Sequence, residues 1–254
     1  MKKALDLCLT CKGYKGDCPV SVDMATYKAE FLSHYYARRL RPVTAYTMGL
    51  IYWWSRLATH APEAANLLTQ TPLLRSVSRA AAGIAPERRI PAFASQPFKQ
   101  WFRRRGPRNA GKPAVILLPD TFNNYFHPGI AQAAVEVLAA ICLRVEVPEQ
   151  PLCCARPLYD YGMLRLARCL LRQILDRLRP QIANGILIIV LEPSCVAVFR
   201  NELVNLFPND EDTKRLSWQM FLLSEFLEKK VVTFSPRGSS ARLWSMGTVT
   251  TRPS

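Results

Sequence analysis

Apolar residues form short continuous or alternating runs in the second half of the chain, and helical patterns separate these runs. Residues 114–118 and 186–191 are continuously apolar, as in strands covered on both faces, whereas residues 143–147 alternate as in a half-exposed strand. Residues 128–141 predict an almost wholly apolar helix, and residues 164–179 predict an amphipathic one with arginines on its outer face. Strands that alternate with helices predict a parallel α/β sheet.

The first half of the chain predicts helices and no strand. Residues 22–41 predict an amphipathic helix capped by Asp23, and we interpret its apolar positions as core. These positions are Met24, Tyr27, Phe31 and Tyr35. Residues 46–58 are rich in aromatic side chains, which favours packing against the other helices and, as a second interpretation, contact with a membrane surface. Recurrent prolines in residues 61–111 predict a connector built of short helices.

The composition is that of a globular, strongly basic protein. Of the 254 residues 49% are hydrophobic, which is enough for a core, and the formal net charge is +15. Such a charge attracts nucleic acid, anionic lipid or an acidic protein, but the arginines are spread along the chain as solvated faces, so we expect no nucleic-acid partner. The 8 cysteines form no regular disulfide framework and no signal peptide precedes them, which predicts a cytoplasmic protein.

Cysteines concentrate near the N-terminus in residues 8–19 (CLTCKGYKGDCP), which we name the cysteine loop. Bacterial iron–sulfur loops have the spacing C-x-x-C-x-x-C-x-x-x-C-P. Cys8, Cys11 and Cys18 fill the first, second and last positions, and Tyr14 occupies the third, where a phenol is a poor ligand for iron. The alternatives are a structural zinc site, completed by a distant cysteine or by His34, and thiols without a ligand.

More polar and thiol side chains follow the predicted strands. Asp120, the pair Cys153-Cys154 and Cys195 each come after a strand, and the carboxyl ends of parallel strands meet at one edge of a sheet. We therefore expect these residues to converge on one site; a redox disulfide or plain buried thiols are the alternatives for the vicinal pair. Cys142 and Cys169 are interpreted as core. No nucleophile–base motif accompanies the 3 histidines, so we predict no catalytic residue in this chain.

The cysteine-rich stretches carry a resemblance to a known family. Residues 5–36 (LDLCLTCKGYKGDCPVSVDMATYKAEFLSHYY), 118–128 (LPDTFNNYFHP), 152–163 (LCCARPLYDYGM) and 191–199 (LEPSCVAVF) resemble the iron–sulfur part of bacterial FAD-linked D-2-hydroxyacid dehydrogenases, including the D-lactate and D-2-hydroxyglutarate enzymes. The Cys-Cys-Gly domains of glycolate oxidase and of anaerobic glycerol-3-phosphate dehydrogenase are similar too. The resemblance covers roughly residues 1–230.

The resemblance implies ligands and an electron-relay function. Cys8, Cys11 and Cys18 match ligands of a 4Fe-4S ferredoxin-like module, and the matches to the first Cys-Cys-Gly repeat are Cys153, Cys154 and Cys195. In the family, flavin oxidises the hydroxyacid and the clusters pass single electrons to a quinone or another carrier. This chain departs from the pattern at Tyr14 and at Ala155, which replaces the motif glycine. The family's first ferredoxin loop and its upstream FAD domains are also missing, so the flavin would belong to another domain or subunit.

The resemblance also implies a division of the chain. Residues 1–40 match a helical ferredoxin-like module, residues 41–111 a helical, proline-rich connector, and residues 112–230 the first, incomplete α/β Cys-Cys-Gly repeat. Residues 231–254 are polar and aperiodic, and residues 240–254 read in another frame resemble the opening of a second repeat, which predicts a frameshifted, truncated fragment. A basic zinc-binding nucleic-acid module and a non-functional fragment are the alternative functions. We expect the protein to be cytoplasmic, and a peripheral position at the inner face of the membrane is a second expectation.

Overall fold

The computed structural model describes residues 2–10, 12, 19, 22–106 and 108–230, which form an α/β structure with a small parallel sheet and many helices. The predictions for Cys11, Tyr14, Cys18 and the tail 231–254 lie outside the described residues.

Helices precede the sheet. They are α1 (Lys2–Asp6), α2 (Met24–Tyr35), α3 (Val43–Thr47), α4 (Ile51–Ala58), α5 (Pro62–Gln70) and α6 (Pro72–Ala82). The predicted cap of α2 is confirmed, because the Asp23 carboxylate accepts a hydrogen bond from the Thr26 N–H at 3.1 Å. Both α5 and α6 start with a proline at the first helical position, where no N–H is needed.

The sheet has parallel strands with the order β2-β1-β3-β4. The strands are β1 (Ala114–Leu117), β2 (Arg144–Glu146), β3 (Ile188–Val190) and β4 (Met220–Leu222). The first three lie inside the predicted runs, which confirms the parallel α/β prediction. Since β2 lies on one side of β1 and β3 on the other, the direction of winding reverses between β1 and β3. In open α/β sheets such a reversal marks the crevice where ligands bind.

Helices cover both faces of the sheet. They are α7 (Phe98–Arg105), α8 (Thr121–Tyr125), α9 (Pro128–Ala140), α10 (Arg156–Asp160), α11 (Leu164–Ala183), α12 (Pro193–Ala197), a π-helix (Val198–Glu202), α13 (Leu203–Leu206), α14 (Glu211–Gln219) and α15 (Leu223–Lys230). Ile116 of β1 packs in one core with α11, whereas Val115 and Leu117 pack in a second core with α9, as alternation along a strand requires. Phe98 of α7 belongs to the second core, so α7 packs on the sheet.

Helix α2 docks against the sheet unit at the turn between α10 and α11. Gly162 in that turn has φ +65°, and a Cβ there would lie 2.6 Å from both Leu32 Cβ and Ser33 N of α2. Arg41 donates hydrogen bonds to the carbonyl oxygens of Gly162, at 2.9 Å, and Tyr161, at 3.3 Å. The close contact is available only to glycine at this position, so the turn defines where α2 lies.

The buried face of α2 differs from the predicted one. Ala25, Ala29 and Leu32 are buried. Tyr27 is 63% exposed, so its interpretation as core is wrong, and the other predicted core residues, Met24, Phe31 and Tyr35, are only partly buried. Small side chains allow the close approach at Gly162 that aromatic rings would prevent. Phe31 instead stacks on Tyr35 with ring centroids 5.7 Å apart.

The interpretation of Cys142 and Cys169 as core residues is also wrong, because both are exposed. Cys142 lies in the turn that follows α9, with φ +61°, and β2 begins only at Arg144. Cys169 lies on the outer, arginine-bearing side of α11, next to Arg168. Both cysteines are therefore useful exposed references for the buried thiols.

Candidate functional site

Three buried thiols, Cys153, Cys154 and Cys195, meet at the carboxyl edge of the sheet, and we name them the thiol cluster. Cys153 and Cys154 lie in the loop after β2, and Cys195 lies in α12, directly after β3. The Sγ atoms of Cys195 and Cys154 are 3.0 Å apart. The predicted convergence of these cysteines is thus present in the structure, beside the crevice between β1 and β3.

Asp120 follows β1 and lies at the same edge, but its carboxylate caps α8. It accepts hydrogen bonds from the backbone N–H groups of Phe122, at 2.8 Å, and Asn123, at 3.1 Å. Its negative charge helps to raise the pKa of Cys195. Asp120 therefore acts on the thiol cluster through its charge while its oxygen atoms hold the helix.

Two groups donate hydrogen bonds to the Cys153 sulfur. The Ala155 N–H donates to Cys153 Sγ at 3.4 Å, and the Thr121 hydroxyl donates to it at 3.8 Å. Ala155 has φ +62° and ψ +14°, a left-handed conformation that glycine adopts without cost. The turn after Cys154 therefore has a conformation that favours glycine, and this chain adopts it with alanine.

The thiols favour their protonated forms. The hydrogen bond with Cys154 and then burial raise the pKa of Cys153 well above the usual thiol value. For Cys154, the hydrogen bond with Cys153 lowers the pKa, but the hydrogen bond with Cys195, burial and repulsion by Cys195 together raise it well above the usual value. The hydrogen bond with Cys154 lowers the pKa of Cys195, and burial and nearby negative charge outweigh it. Without a bound cation these thiols are poor nucleophiles at neutral pH.

The chemical character of the thiol cluster suits a metal ion or metal cluster with thiolate ligands. The donor set is soft and buried, and an N–H and an O–H point at one sulfur, as hydrogen bonds do in iron–sulfur sites. Two thiolates on one tetrahedral metal ion, with bonds of about 2.3 Å, have sulfurs roughly 3.8 Å apart, and thiolates that bind different irons of a cluster lie farther apart still. The 3.0 Å between Cys154 and Cys195 is the spacing of hydrogen-bonded thiols, so a ligand would have to deprotonate and separate them.

The described residues contain no group of three or more His, Cys, Asp or Glu side chains arranged to hold a metal ion. Of the cysteine loop, Cys8 is partly exposed, and its carbonyl oxygen accepts a hydrogen bond from Lys28 Nζ at 2.6 Å. His34, the predicted zinc alternative, lies exposed near the end of α2, with Nε2 3.1 Å from a Glu30 carboxylate oxygen.

A small polar cleft lies beside the thiol cluster. Its lining includes Tyr52, Lys99, Asp120, Thr121 and Tyr125. Burial, with the nearby charge of Arg103, lowers the pKa of Lys99 to about 8, and burial raises the pKa of Tyr125 to about 12. Lys99 therefore titrates in a range in which it can donate and recover a proton.

Sequence reasoning missed the polar residues around the thiols. Thr121, Arg156 and Glu202 escaped notice because their roles depend on partners far away in the chain. The sequence signal for Glu202 is weak, because Glu202 ends a short polar stretch, Arg200-Asn201-Glu202, between the apolar residues 196–199 and Leu203. Only the structure shows that this carboxylate is fully buried and therefore needs a buried partner or a functional reason.

These thiols and stretches can be compared with known proteins. The chain is similar to D-2-hydroxyglutarate dehydrogenase of Escherichia coli K12. The two are 23% identical over 212 residues, which are 80% of this chain and 21% of the relative. One subunit of the anaerobic glycerol-3-phosphate dehydrogenase of the same organism is 26% identical over 168 residues, 65% of this chain and 42% of that relative.

Lactate utilization protein A of Geobacillus thermodenitrificans is 26% identical over 117 residues, 44% of this chain and 47% of that protein. The chain therefore spans between about a fifth and a half of the length of these three relatives. No protein-family model and no solved structure matches the chain. The comparisons relate it at low identity to oxidoreductases and to one part of a multi-subunit oxidoreductase.

Proposed function

We propose that the chain is an electron-transfer module of an FAD-linked 2-hydroxyacid oxidoreductase. The observation that carries the proposal is the thiol cluster, because three buried thiols with hydrogen-bond donors at one sulfur form a soft donor set at the ligand-binding edge of an α/β sheet. Similarity to a dehydrogenase and to one subunit of another dehydrogenase supports it.

Iron–sulfur clusters are the proposed cofactors. Cys153, Cys154 and Cys195 would hold one, and Cys8, Cys11 and Cys18 would contribute to a 4Fe-4S cluster. A bound cluster supplies one-electron redox chemistry. The residues of the chain keep water away from the thiol cluster through burial and donate hydrogen bonds to sulfur, which is one of the properties that tune a cluster potential.

The proposed partner is a flavin-containing dehydrogenase domain or subunit. Oxidation of a hydroxyacid requires a flavin, and the chain would take up the resulting electrons one at a time. A quinone or another carrier is the proposed acceptor. A quinone takes up protons as it is reduced, and Lys99 beside the thiol cluster has a pKa of about 8, which suits proton delivery.

We further propose a cytoplasmic module with a peripheral membrane contact. None of the described helices is long and apolar enough to cross a bilayer. Helices α5 and α6 bury none of their side chains, and Leu67, Leu73 and Val77 on them are exposed, as are Trp54 and Leu57 of α4. Exposed aliphatic and tryptophan side chains on short helices are typical of surfaces that lie in a membrane interface.

Iron and acid-labile sulfide content tests the proposal. We expect the chain, purified and reconstituted without oxygen, to bind both in stoichiometric amounts, and Cys153→Ser and Cys8→Ser each to lose a share. Cys142→Ser is the matched control, because Cys142 is an exposed thiol before the amino end of β2 and not at the carboxyl edge of the sheet, and it should keep the full content. Zinc in place of iron, or neither metal in any preparation, would overturn the proposal.

A further inference from the structure

A fully buried carboxylate lies at the end of the π-helix that follows Cys195 of the thiol cluster. Glu202 is 0% exposed, and its Oε1 atom lies 2.8 Å from Arg156 Nη1 and 2.9 Å from Lys12 Nζ. Its other oxygen, Oε2, has no hydrogen-bond partner among the described residues. Burying a charge in this way is costly unless cations compensate it, so Arg156 and Lys12 are needed wherever Glu202 is ionised.

The charged groups belong to different cysteine-bearing segments. Arg156 stands two residues after Cys154, and Lys12 stands next to Cys11 in the cysteine loop. Glu202 is the last residue of the π-helix that starts three residues after Cys195. π-helical turns inside helices occur frequently at functional sites, where they re-aim side chains. The Glu202 carboxylate thus joins the cysteine loop to both parts of the thiol cluster.

Further hydrogen bonds extend this connection to the backbone of the cysteine loop. Arg156 Nη2 donates to the Thr10 carbonyl oxygen at 2.7 Å, and Arg156 Nε donates to Asp160 at 3.1 Å. The Thr10 hydroxyl donates to Asp160 Oδ1 at 3.0 Å. The guanidinium therefore contacts the cysteine loop, α10 and the π-helix with three different nitrogen atoms. A lysine, with a single nitrogen atom, could not make these three contacts in the same geometry.

The conformation of the loop needs this support. Thr10 has φ +53° and Lys12 has φ +65°, and both are non-glycine residues in the left-handed region. For threonine, which is β-branched, this is a strained conformation. Strained residues persist when the surrounding structure over-determines them, and they concentrate at functional sites. The side chains that hold these residues, Asp160, Arg156 and Glu202, all lie in segments next to the thiol cluster.

We propose that Glu202 and Arg156 are positioning residues that hold the cysteine loop against the thiol cluster and so set the separation at which an electron passes between the two sites. The part of this proposal that concerns electron transfer rests on the proposed function, whereas the mechanical link between the two segments does not. With a cluster bound at each site, a single electron would pass from the reduced cluster to the oxidised one, and no covalent bond would form or break. Transfer becomes slower as the separation grows, so a looser loop slows the relay.

The mechanical link is tested on the metal-free chain. Alkylation of Cys8 by iodoacetamide, measured relative to the exposed Cys142 in the same molecule, reports how firmly the loop is held. We expect Glu202→Gln to speed the relative alkylation of Cys8 at least about fivefold, since the amide removes the charge at nearly constant shape. Asp210→Asn, which breaks the partly exposed pair with Arg172, should leave it unchanged. An unchanged rate in Glu202→Gln would overturn the proposal.

The electronic role is tested on the chain reconstituted with iron and sulfide. We expect Glu202→Gln to weaken the magnetic interaction between the reduced sites in the electron paramagnetic resonance spectrum and to slow electron exchange at least about tenfold, at unchanged iron content. Arg156→Lys, which keeps the charge, should fall between Glu202→Gln and the native chain. Unchanged exchange and interaction would overturn the positioning role. Absence of iron from the native chain would defeat the proposed function, and alkylation would still decide whether the link exists.

Discussion

Ala155 holds the left-handed conformation of the Cys-Cys turn at little cost. The left-handed conformation costs a non-glycine residue about 1–2 kcal/mol. Replacement by glycine would remove that strain but would also lose a buried methyl group worth about 0.8 kcal/mol and gain unfolded-state entropy worth about 0.4–1 kcal/mol. The opposing contributions are similar in size, so alanine is tolerated at this position.

We therefore expect Ala155→Gly to change the free energy of unfolding by less than about 1 kcal/mol. Ala155→Val should lower it by at least about 2 kcal/mol, because a β-branched residue is strained there and the site is buried. Urea unfolding of both variants measures the difference. Equal stability of the glycine and valine variants would contradict the left-handed conformation of this turn.

The raised pKa values of the thiol cluster predict a stability loss in alkali for the metal-free chain. Unfolded thiols ionise near pH 8.5, whereas the folded thiols keep their protons to higher pH. Their contribution to the free energy of unfolding is therefore complete below about pH 8.5 and falls above it, by up to about 1.4 kcal/mol per pH unit and thiol.

Urea midpoints between about pH 7.5 and 10, measured under reducing conditions, follow this loss. We expect Cys154→Ala to show a shallower decline than the native chain, and Cys142→Ser, which changes an exposed thiol, to follow the native slope. Tyr52 and Tyr125, whose pKa values are also raised, are present in every variant and cancel from the comparison. Identical slopes for all three proteins would contradict the account of the buried thiols.

At the scale of elements, the contact between α2 and the turn at Gly162 holds the N-terminal helices on the sheet unit. Gly162→Ala would combine a left-handed alanine with a Cβ 2.6 Å from Ser33 N. We expect a loss of about 3 kcal/mol in the free energy of unfolding, together with earlier proteolysis within α2. Gly129→Ala is the matched control, because that position lies in α9 with open space around it, and it should be neutral or stabilising. A fully stable Gly162→Ala variant would contradict the docking geometry.

The elements that sequence could predict are those with a strong local pattern. The runs at 114–118, 143–147 and 186–191 contain β1, β2 and β3, and the cysteines that follow β2 and β3 converge because parallel strands end at one edge. β4 escaped prediction, since Met220–Leu222 is a short strand between two helices with no turn signal. The buried face of α2 escaped it too, because close packing against Gly162 favours Ala25 and Ala29 over the more apolar Tyr27 and Phe31.

The sequence predicts the thiols of the candidate site but not the polar and charged residues around them. Spacing and strand order identify Cys153, Cys154 and Cys195, but the link through Arg156, Glu202 and Lys12 joins residues far apart in the chain. A buried ion pair between residues far apart in the chain leaves no pattern in the local sequence around either partner. The hydrogen bond of Thr121 to Cys153 has no local signature of any kind.

At the scale of the whole molecule, the surface fits a module that works beside a partner. The formal net charge is +15, and aliphatic side chains of α5 and α6, among them Leu67, Leu73 and Val77, are exposed. The chain matches 21% of the D-2-hydroxyglutarate dehydrogenase and 42% of the glycerol-3-phosphate dehydrogenase subunit to which it is similar. A basic surface attracts an acidic partner or an anionic membrane, and both agree with a relay between a flavin protein and a carrier.

A reductive titration of the chain reconstituted without oxygen tests the central claim most directly. An electron-transfer module must take up and release single electrons reversibly, so we expect paramagnetic signals of reduced clusters that appear with falling potential and vanish on reoxidation. They should integrate to a whole number of spins per chain and diminish in Cys195→Ser but not in Cys169→Ser. A chain that binds no iron, or whose bound iron shows no reversible one-electron step, would contradict the account.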